Sequence, residues 1–244
     1  MRVRVFATAE SLGRALALEV ARRLAAKPDT VLGLPTGRTP IPLYRELVRL
    51  HLAGRADFGR AATFNLDEFL GVVTLDPRSY RAFMQRHLFD HINLSPRRIQ
   101  FLNGATRDVE RECRRYERAI ARAGGIDLQI LGLGMNGHIG FNEPARALVA
   151  RTHRTRLTPA TRRANATLFE NRASAVPREA LSMGMATIFH ARQIVLLATG
   201  ATKARCVQRM MAGPVTPRLP ASFLQLHRNV EVWVDRGAAG NLEL

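Results

Sequence analysis

The sequence is poor in cysteine and contains no long apolar run. Two cysteines, Cys113 and Cys206, occur among 244 residues, too few for the disulfide framework of a small secreted protein. No stretch approaches the roughly 18 apolar residues of a transmembrane helix. The first residues alternate like a strand and lack the apolar segment and cleavage site of a signal peptide. We therefore expect a cytoplasmic protein without a membrane partner.

Lysine and acidic residues are also scarce. Lys27 and Lys203 are the only lysines among 37 basic residues, so 35 are arginines, and 20 acidic residues leave a net charge of +17. Such a charge favours anionic partners without choosing among them. The arginine excess equally fits a GC-rich genome. On the face of predicted helix 108–123 that carries the arginines, no aromatic residues interleave for base stacking, so that face is predicted to be solvated and we expect no nucleic-acid partner.

What is abundant is the alternation of short apolar runs with helical patterns. With 46% hydrophobic and 23% charged residues, the chain has enough apolar material for one core, and we expect a single domain over residues 1–244. Strands separated by helices indicate an α/β fold, a Rossmann-like three-layer sandwich with a mainly parallel sheet. The predicted strands are 3–7, 31–34, 63–66, 99–102, 126–131, 193–198 and 230–234, and the predicted helices are about 12–27, 40–52, 80–89, 108–123, 159–169, 178–187 and 202–211.

Ligands of such sheets bind at the carboxyl ends of the strands, where three loops of this sequence carry polar groups. Thr36, Gly37, Arg38 and Thr39 follow one strand, with Thr39 as expected N-cap and Pro40 as first helical residue;. Free N–H groups there suit a phosphate, although an ordinary turn would have the same sequence. Asp67 and its neighbour Glu68 end the next strand and suit either a helix cap or a general base.

A third loop, residues 132–144, contains Asn136, His138 and Glu143. A histidine beside an amide and a carboxylate can move protons near neutral pH. The loop also spells G-x-G-x-x-G, but no acidic residue lies between Glu143 and Glu170, and Pro144 interrupts the region too early for the required helix. We therefore expect no NAD, because the ribose-binding carboxylate of that fingerprint is missing.

Other catalytic or metal motifs are weak. His87 and His91 stand four residues apart on a predicted helix but have no third ligand nearby in the sequence, so we expect no metal. A G-x-S-x-G nucleophile elbow is absent, which argues against a serine hydrolase.

These loops, in this order, resemble the glucosamine-6-phosphate deaminase (isomerase) family. The resemblance runs from about residue 31 to residue 227 and is carried by the segments LGLPTGRTPIPLY, FNLDEFLGV, SYRAFMQRHLF, LGLGMNGHIGFNEPA and FLQLH. Related 6-phosphogluconolactonases share the fold but continue differently after their Gly-His pair. The resemblance implies conversion of glucosamine 6-phosphate and water to fructose 6-phosphate and ammonia in amino-sugar catabolism.

The resemblance also implies residue roles. His138 would open the sugar ring, oriented by Glu143 and Asn136, and Asp67 would move a proton from C2 to C1. Because the substrate's own amine forms the imine, no cofactor or metal is expected. Lys203 matches a phosphate-binding lysine of the family.

Three departures from the family pattern are visible. The phosphate loop usually has two glycines where this chain has Gly37 and Arg38, and Thr167 replaces a phosphate-binding arginine. Our hypothesis is that Arg38 supplies the charge that Thr167 lacks. His153 and Thr155 stand where some members bind an N-acetylglucosamine 6-phosphate activator through basic residues, so we expect little or no activation. Asn136 stands where other members have Asp, and both occur in the family.

Several alternatives stay open from the sequence. The substrate is a small sugar phosphate, but a galactosamine-6-phosphate deaminase or a lactonase-like enzyme of the same fold also fits. A sugar-sensing regulator is less favoured, because the first strand begins at about residue 2 and leaves no room for a helix-turn-helix. A monomer and a homo-oligomer, and either reaction direction, are equally compatible with the sequence.

Overall fold

Seven strands form one sheet in which every neighbouring pair is parallel. The computed structural model describes residues 1–242. Parallel neighbours need crossover connections, which agrees with the strand–helix alternation of the sequence and confirms the predicted α/β class. In spatial order the strands are β1 (Arg2–Phe6), β10 (Val230–Asp235), β9 (Gln193–Ala198), β6 (Leu128–Gly132), β2 (Val31–Leu34), β3 (Ala62–Asn65) and β5 (Ile99–Gln100).

Helices cover both faces of this sheet. Successive residues of β9 belong to different hydrophobic clusters, Leu196 to one and Leu197 to the other, and all of β9 is buried. A strand covered on both faces has a continuous apolar sequence, and the three-layer prediction is confirmed. The helices are α1 (Ala9–Ala26), α2 (Ile41–Leu52), α3 (Tyr80–His87), α4 (Val109–Arg122), α5 (Pro159–Ala164), α6 (Met185–Phe189), α7 (Ala204–Ala212) and α8 (Arg236–Ala239).

The first helix follows directly from its sequence. Its four-residue apolar repeat is buried from Leu12 to Leu24. Thr8 and Ser11 form a capping box that fixes its start;. A Cβ at Gly13 would lie 2.7 Å from the backbone of Pro42, so the absent side chain lets α1 and α2 approach closely. Among residues 1–242, no helix combines the length and apolar composition needed to cross a bilayer.

A second, three-stranded antiparallel sheet lies beside the large one, and the sequence did not predict it. It consists of β4 (Asp67–Phe69), β8 (Glu179–Ser182) and β7 (His153–Arg156), in that order. The predicted helix over residues 178–187 is therefore wrong: residues 179–182 form a strand, and α6 starts only at Met185. Glu, Ala and Leu favour a helix locally, but pairing with two distant strands overrides that preference.

The short helix α8 (Arg236–Ala239) was also not predicted, and further differences lie at element ends. The predicted strand 99–102 is paired only over Ile99–Gln100, and the predicted helix 159–169 is α5 followed by a 3-10 turn over Ala166–Phe169. The predicted N-cap role of Thr39 is wrong. Pro40 occupies the cap position without a side-chain hydrogen bond, and the first helical residue is Ile41.

The strand order brings four separate loops together. Strands β9, β6, β2 and β3 are consecutive neighbours in the centre of the sheet. Because they are parallel, the loops that follow them leave from the same edge. Lys203, Asn136 and Thr36 lie in the connections after β9, β6 and β2, and Asp67, the first residue of β4, follows the end of β3. The carboxyl edge of the central strands is therefore the place to look for a site.

Candidate active site

The loop after β6 holds His138 against its own backbone. The Gly134 N–H donates to the carbonyl of His138 at 2.9 Å, which closes the loop. A Cβ at Gly134 would lie 2.4 Å from the imidazole. A side chain there would displace the ring, so this glycine is required by close approach. Gly137 completes the turn with a φ of 84°, a left-handed conformation that glycine adopts without strain.

Asn136 connects His138 to Glu143. The Nδ2 of Asn136 donates to Oε2 of Glu143 at 2.8 Å, and its Oδ1 lies 2.7 Å from Nδ1 of His138. Because an ionised carboxylate only accepts hydrogen bonds, the amide must turn its NH2 group toward Glu143. Its oxygen then faces His138, so Nδ1 carries the proton. This tautomer leaves the lone pair of Nε2 free to accept a proton.

Glu143 is ionised because its surroundings donate to it. Its Oε1 accepts hydrogen bonds from the hydroxyls of Thr161 and Thr158, the latter at 3.3 Å. Burial by itself would raise the pKa of Glu143, but the nearby His138 imidazole and the donors Thr161 and Asn136 outweigh it and hold the pKa at about 2;. The carboxylate is thus a fixed negative charge at the end of the His138 hydrogen-bond chain.

Asp67 has a contrasting environment. It is buried, and no donor among residues 1–242 hydrogen-bonds its carboxyl group. Burial, with a smaller contribution from the Glu68 charge, raises the pKa of Asp67 to about 8. A Cβ at Gly140 would lie 3.7 Å from Oδ2 of Asp67, so the loop that carries His138 passes directly beside this carboxyl group. Asp67 is a desolvated acid–base group poised near neutral pH.

Glu68 has a structural role instead. Its carboxylate accepts backbone hydrogen bonds from Phe69 at 2.9 Å and from Tyr80 and Arg81 at 3.0 Å. Two of these donors belong to the first turn of α3, where N–H groups lack partners within the helix. Burial still raises the pKa of Glu68 to about 7 against these donors. The two adjacent carboxyl groups therefore have different roles: Glu68 binds the N-terminus of α3, and Asp67 faces the site.

Two cationic residues belong to connections at the same edge of the sheet, Arg38 after β2 and Lys203 after β9. The Nζ of Lys203 donates to the carbonyl of Leu133 at 2.6 Å, which leaves further donors of the ammonium free. Burial lowers the pKa of Lys203, and the positive charge of Arg38 lowers it further. Arg38 is exposed and has no side-chain hydrogen bond or ion pair within residues 1–242. These two side chains bring positive charge to the edge where the site lies.

Tyr80 and Asn165 join the site from positions to which the sequence assigned no role. Tyr80 donates its hydroxyl hydrogen to Oδ1 of Asn165 at 2.7 Å and stacks on Phe141. Burial and then the charge of Asp67 raise the pKa of Tyr80 well above its usual value, while the Thr36 side chain opposes the rise. A sequence signal for Asn165 was its spacing of four residues from Thr161, which places both side chains on one face of the predicted helix.

The remaining sequence candidates lie elsewhere. The His87 ring packs on Phe83 and Nε2 of His91 lies 3.0 Å from the carbonyl of Arg86. Within residues 1–242, no three His, Cys, Asp or Glu side chains converge as metal ligands. His153 and Thr155 belong to β7.

The fold and this site together define a class. A parallel α/β sheet that places a desolvated carboxyl group, an oriented histidine and a cationic seat at one edge is typical of enzymes that move protons on a small anionic substrate. Comparison with known sequences identifies the family: residues 5–233 match the family of glucosamine-6-phosphate isomerases and 6-phosphogluconolactonase. The chain belongs to this family.

Individual relatives agree over the full length. A glucosamine-6-phosphate deaminase of Clostridium botulinum is 43% identical over 244 residues, which is 100% of both chains. One of Halothermothrix orenii is 46% identical over 242 residues, 99% of this chain and 100% of the relative.

Solved structures give the same result. A monomeric glucosamine-6-phosphate deaminase superposes with a TM-score of 0.95 at 43% identity, covering 99% of this chain and 100% of that one. The 6-phosphogluconolactonase of Trypanosoma cruzi has a TM-score of 0.79 at 20% identity over 100% of this chain and 97% of its own, and this likeness concerns the fold alone.

Proposed function

We propose that the chain converts glucosamine 6-phosphate and water into fructose 6-phosphate and ammonia, as part of amino-sugar breakdown. The observation that carries the proposal is the pairing of two acid–base groups. Asp67 is a buried carboxyl group without hydrogen-bond donors, and the loop beside it presents His138 with Nε2 free. The full-length relatives named glucosamine-6-phosphate deaminase support the substrate.

The phosphate group is assigned to the cationic side of the site. Lys203 and Arg38 supply charge there, and the loop from Thr36 to Thr39 supplies backbone N–H groups;. Gly37, with a φ of 94°, makes the tight turn that exposes them;. A phosphate held at this end leaves the ring of the sugar to reach His138 and Asp67.

His138 performs the ring opening. Its free Nε2 takes the proton of the anomeric hydroxyl, the C1–O5 bond breaks, and the ring oxygen receives a proton. Asn136 and the ionised Glu143 keep the imidazole in the tautomer that this step needs. The negative charge of Glu143 also stabilises the imidazolium that forms while His138 carries the proton;.

Asp67 performs the isomerisation. Its carboxylate removes the proton from C2 of the open aldose, which gives an enolamine, and returns a proton to C1, which gives a ketimine at C2. Addition of water to this ketimine and loss of ammonia give fructose 6-phosphate. The protein supplies positioning and matched proton-transfer groups, the latter each worth roughly 10²–10⁴-fold in rate.

The cellular setting belongs to the same proposal. The chain acts as one domain in the cytoplasm, and it acts as a monomer, which the monomeric state of the 43% identical structure supports. We expect a single species near 27.1 kDa in analytical ultracentrifugation. N-acetylglucosamine 6-phosphate has little effect on its rate, because His153 and Thr155 replace the basic residues expected of an activator site.

The test is a side-by-side assay of three substrates. Purified protein is given glucosamine 6-phosphate, galactosamine 6-phosphate and 6-phosphogluconolactone, and ammonia and hexose phosphate are measured. We expect stoichiometric ammonia and fructose 6-phosphate from the first. If only galactosamine 6-phosphate released ammonia, the proposed substrate would be wrong. If the lactone were hydrolysed and neither amino sugar released ammonia, the proposed reaction would be wrong.

A further inference from the structure

A cavity of about 450 Å³ lies between α4 and the strands at one edge of the large sheet. Its walls come from the carboxyl-terminal half of α4, from β3, and from the segment before and within β5. None of the residues that line it belongs to the four loops of the candidate active site. Its volume lies within the roughly 300–1,000 Å³ of small-molecule sites. The proposed function gives this cavity no role.

Four arginines line the cavity, and two of them have fixed guanidinium groups. Arg115 donates to Glu112 and, at 2.8 Å, to the carbonyl of Phe101. Arg98 donates to the carbonyl of Arg60 at 3.0 Å. Held guanidinium groups are preorganised for a ligand, because little side-chain entropy is lost when they bind it.

The other two arginines are Arg97 and Arg122. Neither makes an ion pair or a side-chain hydrogen bond as a donor within the described part of the chain. No acidic residue lines the cavity. The charge of Arg115 is balanced by Glu112, but Arg97, Arg98 and Arg122 form no ion pair within residues 1–242, and these three positive charges around one concave surface favour an anion. The planar, bidentate guanidinium matches phosphate oxygens in particular.

The remaining lining is mostly apolar. The partly exposed methyl groups of Ala62, Ala119 and Ala123 contribute to it, together with the amide of Gln100, and the buried Phe64 lies beneath them. An inorganic anion would leave this surface in contact with water. A ligand that has a flat apolar ring as well as phosphate groups uses both parts of the lining.

A neighbouring cavity provides an internal comparison. It measures about 350 Å³ and shares Arg115 with the first, but its lining includes Asp108 and Glu112 beside the arginines. These carboxylates reduce its attraction for anions. The arginines of α4 are therefore not equivalent: Arg122 lines only the first cavity and brings a charge without a carboxylate partner to its apolar surface, whereas Arg115 is paired with Glu112.

From this combination we infer that the first cavity is a second ligand site and that it binds a nucleoside phosphate. The base lies on the apolar surface formed by Ala62, Ala119 and Ala123. Arg97 and Arg122 bind the phosphates, assisted by Arg98. The site is separate from the sugar-phosphate site, so both ligands bind at the same time.

The experiment is isothermal titration calorimetry of the full-length protein with ATP, tripolyphosphate and adenosine at about 0.15 M salt, where long-range charge effects are screened. We expect ATP to bind at least about 10-fold more tightly than either fragment, a difference of about 1.4 kcal/mol. We expect the double variant R97Q/R122Q to weaken ATP binding at least 10-fold. We expect Ala119→Leu to weaken the binding of ATP but not that of tripolyphosphate.

The matched control is R14Q/R55Q, which removes the same charge from two exposed arginines outside the cavity. Equal weakening by the control pair would reduce the effect to net charge and overturn the inference. So would equal affinity for tripolyphosphate and ATP, no binding of ATP at all, or loss of ATP binding when the Asp67→Asn variant, expected to bind substrate without turnover, is saturated with glucosamine 6-phosphate. Circular dichroism and thermal unfolding verify that each variant is folded.

Discussion

His138 is hydrogen-bonded to Asn136 and not to Glu143: its Nδ1 lies 2.7 Å from Oδ1 of Asn136 but 3.7 Å from Oε2 of Glu143. The carboxylate therefore acts on the imidazole through an intervening amide. Glu143 fixes the orientation of the Asn136 amide by accepting from its NH2 group, and the amide oxygen in turn fixes the orientation of the His138 ring. In the proposed mechanism, ring opening by Nε2 depends on this arrangement.

The first prediction concerns the intervening amide. Asn136→Leu removes both hydrogen bonds while keeping a side chain of similar size. We expect kcat for glucosamine 6-phosphate to fall at least 10-fold with little change in KM, because general base catalysis is lost and the phosphate seat is untouched. Asn136→Asp keeps the oxygen that faces Nδ1 and serves as the conservative control. Equal loss in both variants, or a change confined to KM, would contradict the positioning role.

The second prediction separates the two adjacent carboxyl groups by their opposite effects on stability. Asp67→Asn abolishes turnover, by about 10²–10⁴-fold or more, and leaves substrate binding largely intact. It also stabilises the fold at pH 7, because Asp67, ionised in the unfolded chain, must take up a proton when it is buried on folding, and the neutral amide avoids this cost. A gain of about 1 kcal/mol raises Tm by about 2–4 °C for a chain of this size.

Glu68→Gln is the matched control for Asp67→Asn. In this variant the side-chain NH2 group faces backbone N–H groups, and two donors cannot hydrogen-bond each other. We therefore expect the free energy of unfolding to fall by about 1–3 kcal/mol. Kinetics and thermal unfolding of both variants check the assignment. Retained turnover in Asp67→Asn would remove its role as the base.

The third prediction follows from the pKa of Asp67, about 8 in the folded chain against an ordinary value of 3.8. Asp67 must be ionised to accept the C2 proton, so kcat/KM should rise with pH and level off above about 8. Glu143, with a pKa of about 2, stays ionised throughout. A pH–rate profile from pH 5 to 9.5 measures this, and a kcat/KM that is constant between pH 5 and 8 would refute it.

The raised pKa of Asp67 also makes the stability of the fold depend on pH. A carboxyl group whose folded pKa is raised holds its proton longer in the folded than in the unfolded chain. Its contribution therefore favours folding at low pH and is lost as pH rises from about 4 toward 8. Urea unfolding at several pH values, compared between the parent chain and Asp67→Asn, isolates this contribution, which the variant lacks.

The fourth prediction tests whether Arg38 supplies the positive charge for phosphate binding that Thr167 lacks. Arg38→Gly should raise KM for glucosamine 6-phosphate strongly, at least about 10-fold for the loss of one charged phosphate contact, with a smaller effect on kcat. Adding Thr167→Arg to this variant should recover part of the lost affinity. Arg228→Gly, at another exposed arginine, controls for net charge. An unchanged KM in Arg38→Gly would disprove the compensation.

Local sequence patterns were sufficient for the large sheet. The four-residue apolar repeat of α1 and the continuous apolar run of β9 are properties of short segments, and both elements formed where they were predicted. The small antiparallel sheet was missed for the opposite reason. The residues of β8 pair with two strands far away in the chain, and no pattern within residues 178–187 records that pairing.

The sequence by itself determined the chemistry that is available. It placed Asp67, Asn136, His138, Glu143 and Lys203 in loops after strands, where ligands of parallel sheets bind, and its motifs indicated the family. Tertiary structure alone decided how these groups are tuned. Burial and hydrogen-bond donors set a pKa, and both come from residues distant in sequence: Asp67 has no donors and a pKa of about 8, whereas Glu143 is held near 2 by the site around it. Adjacent carboxylates that look alike in the sequence, Asp67 and Glu68, were separated only by the helix that packs on one of them.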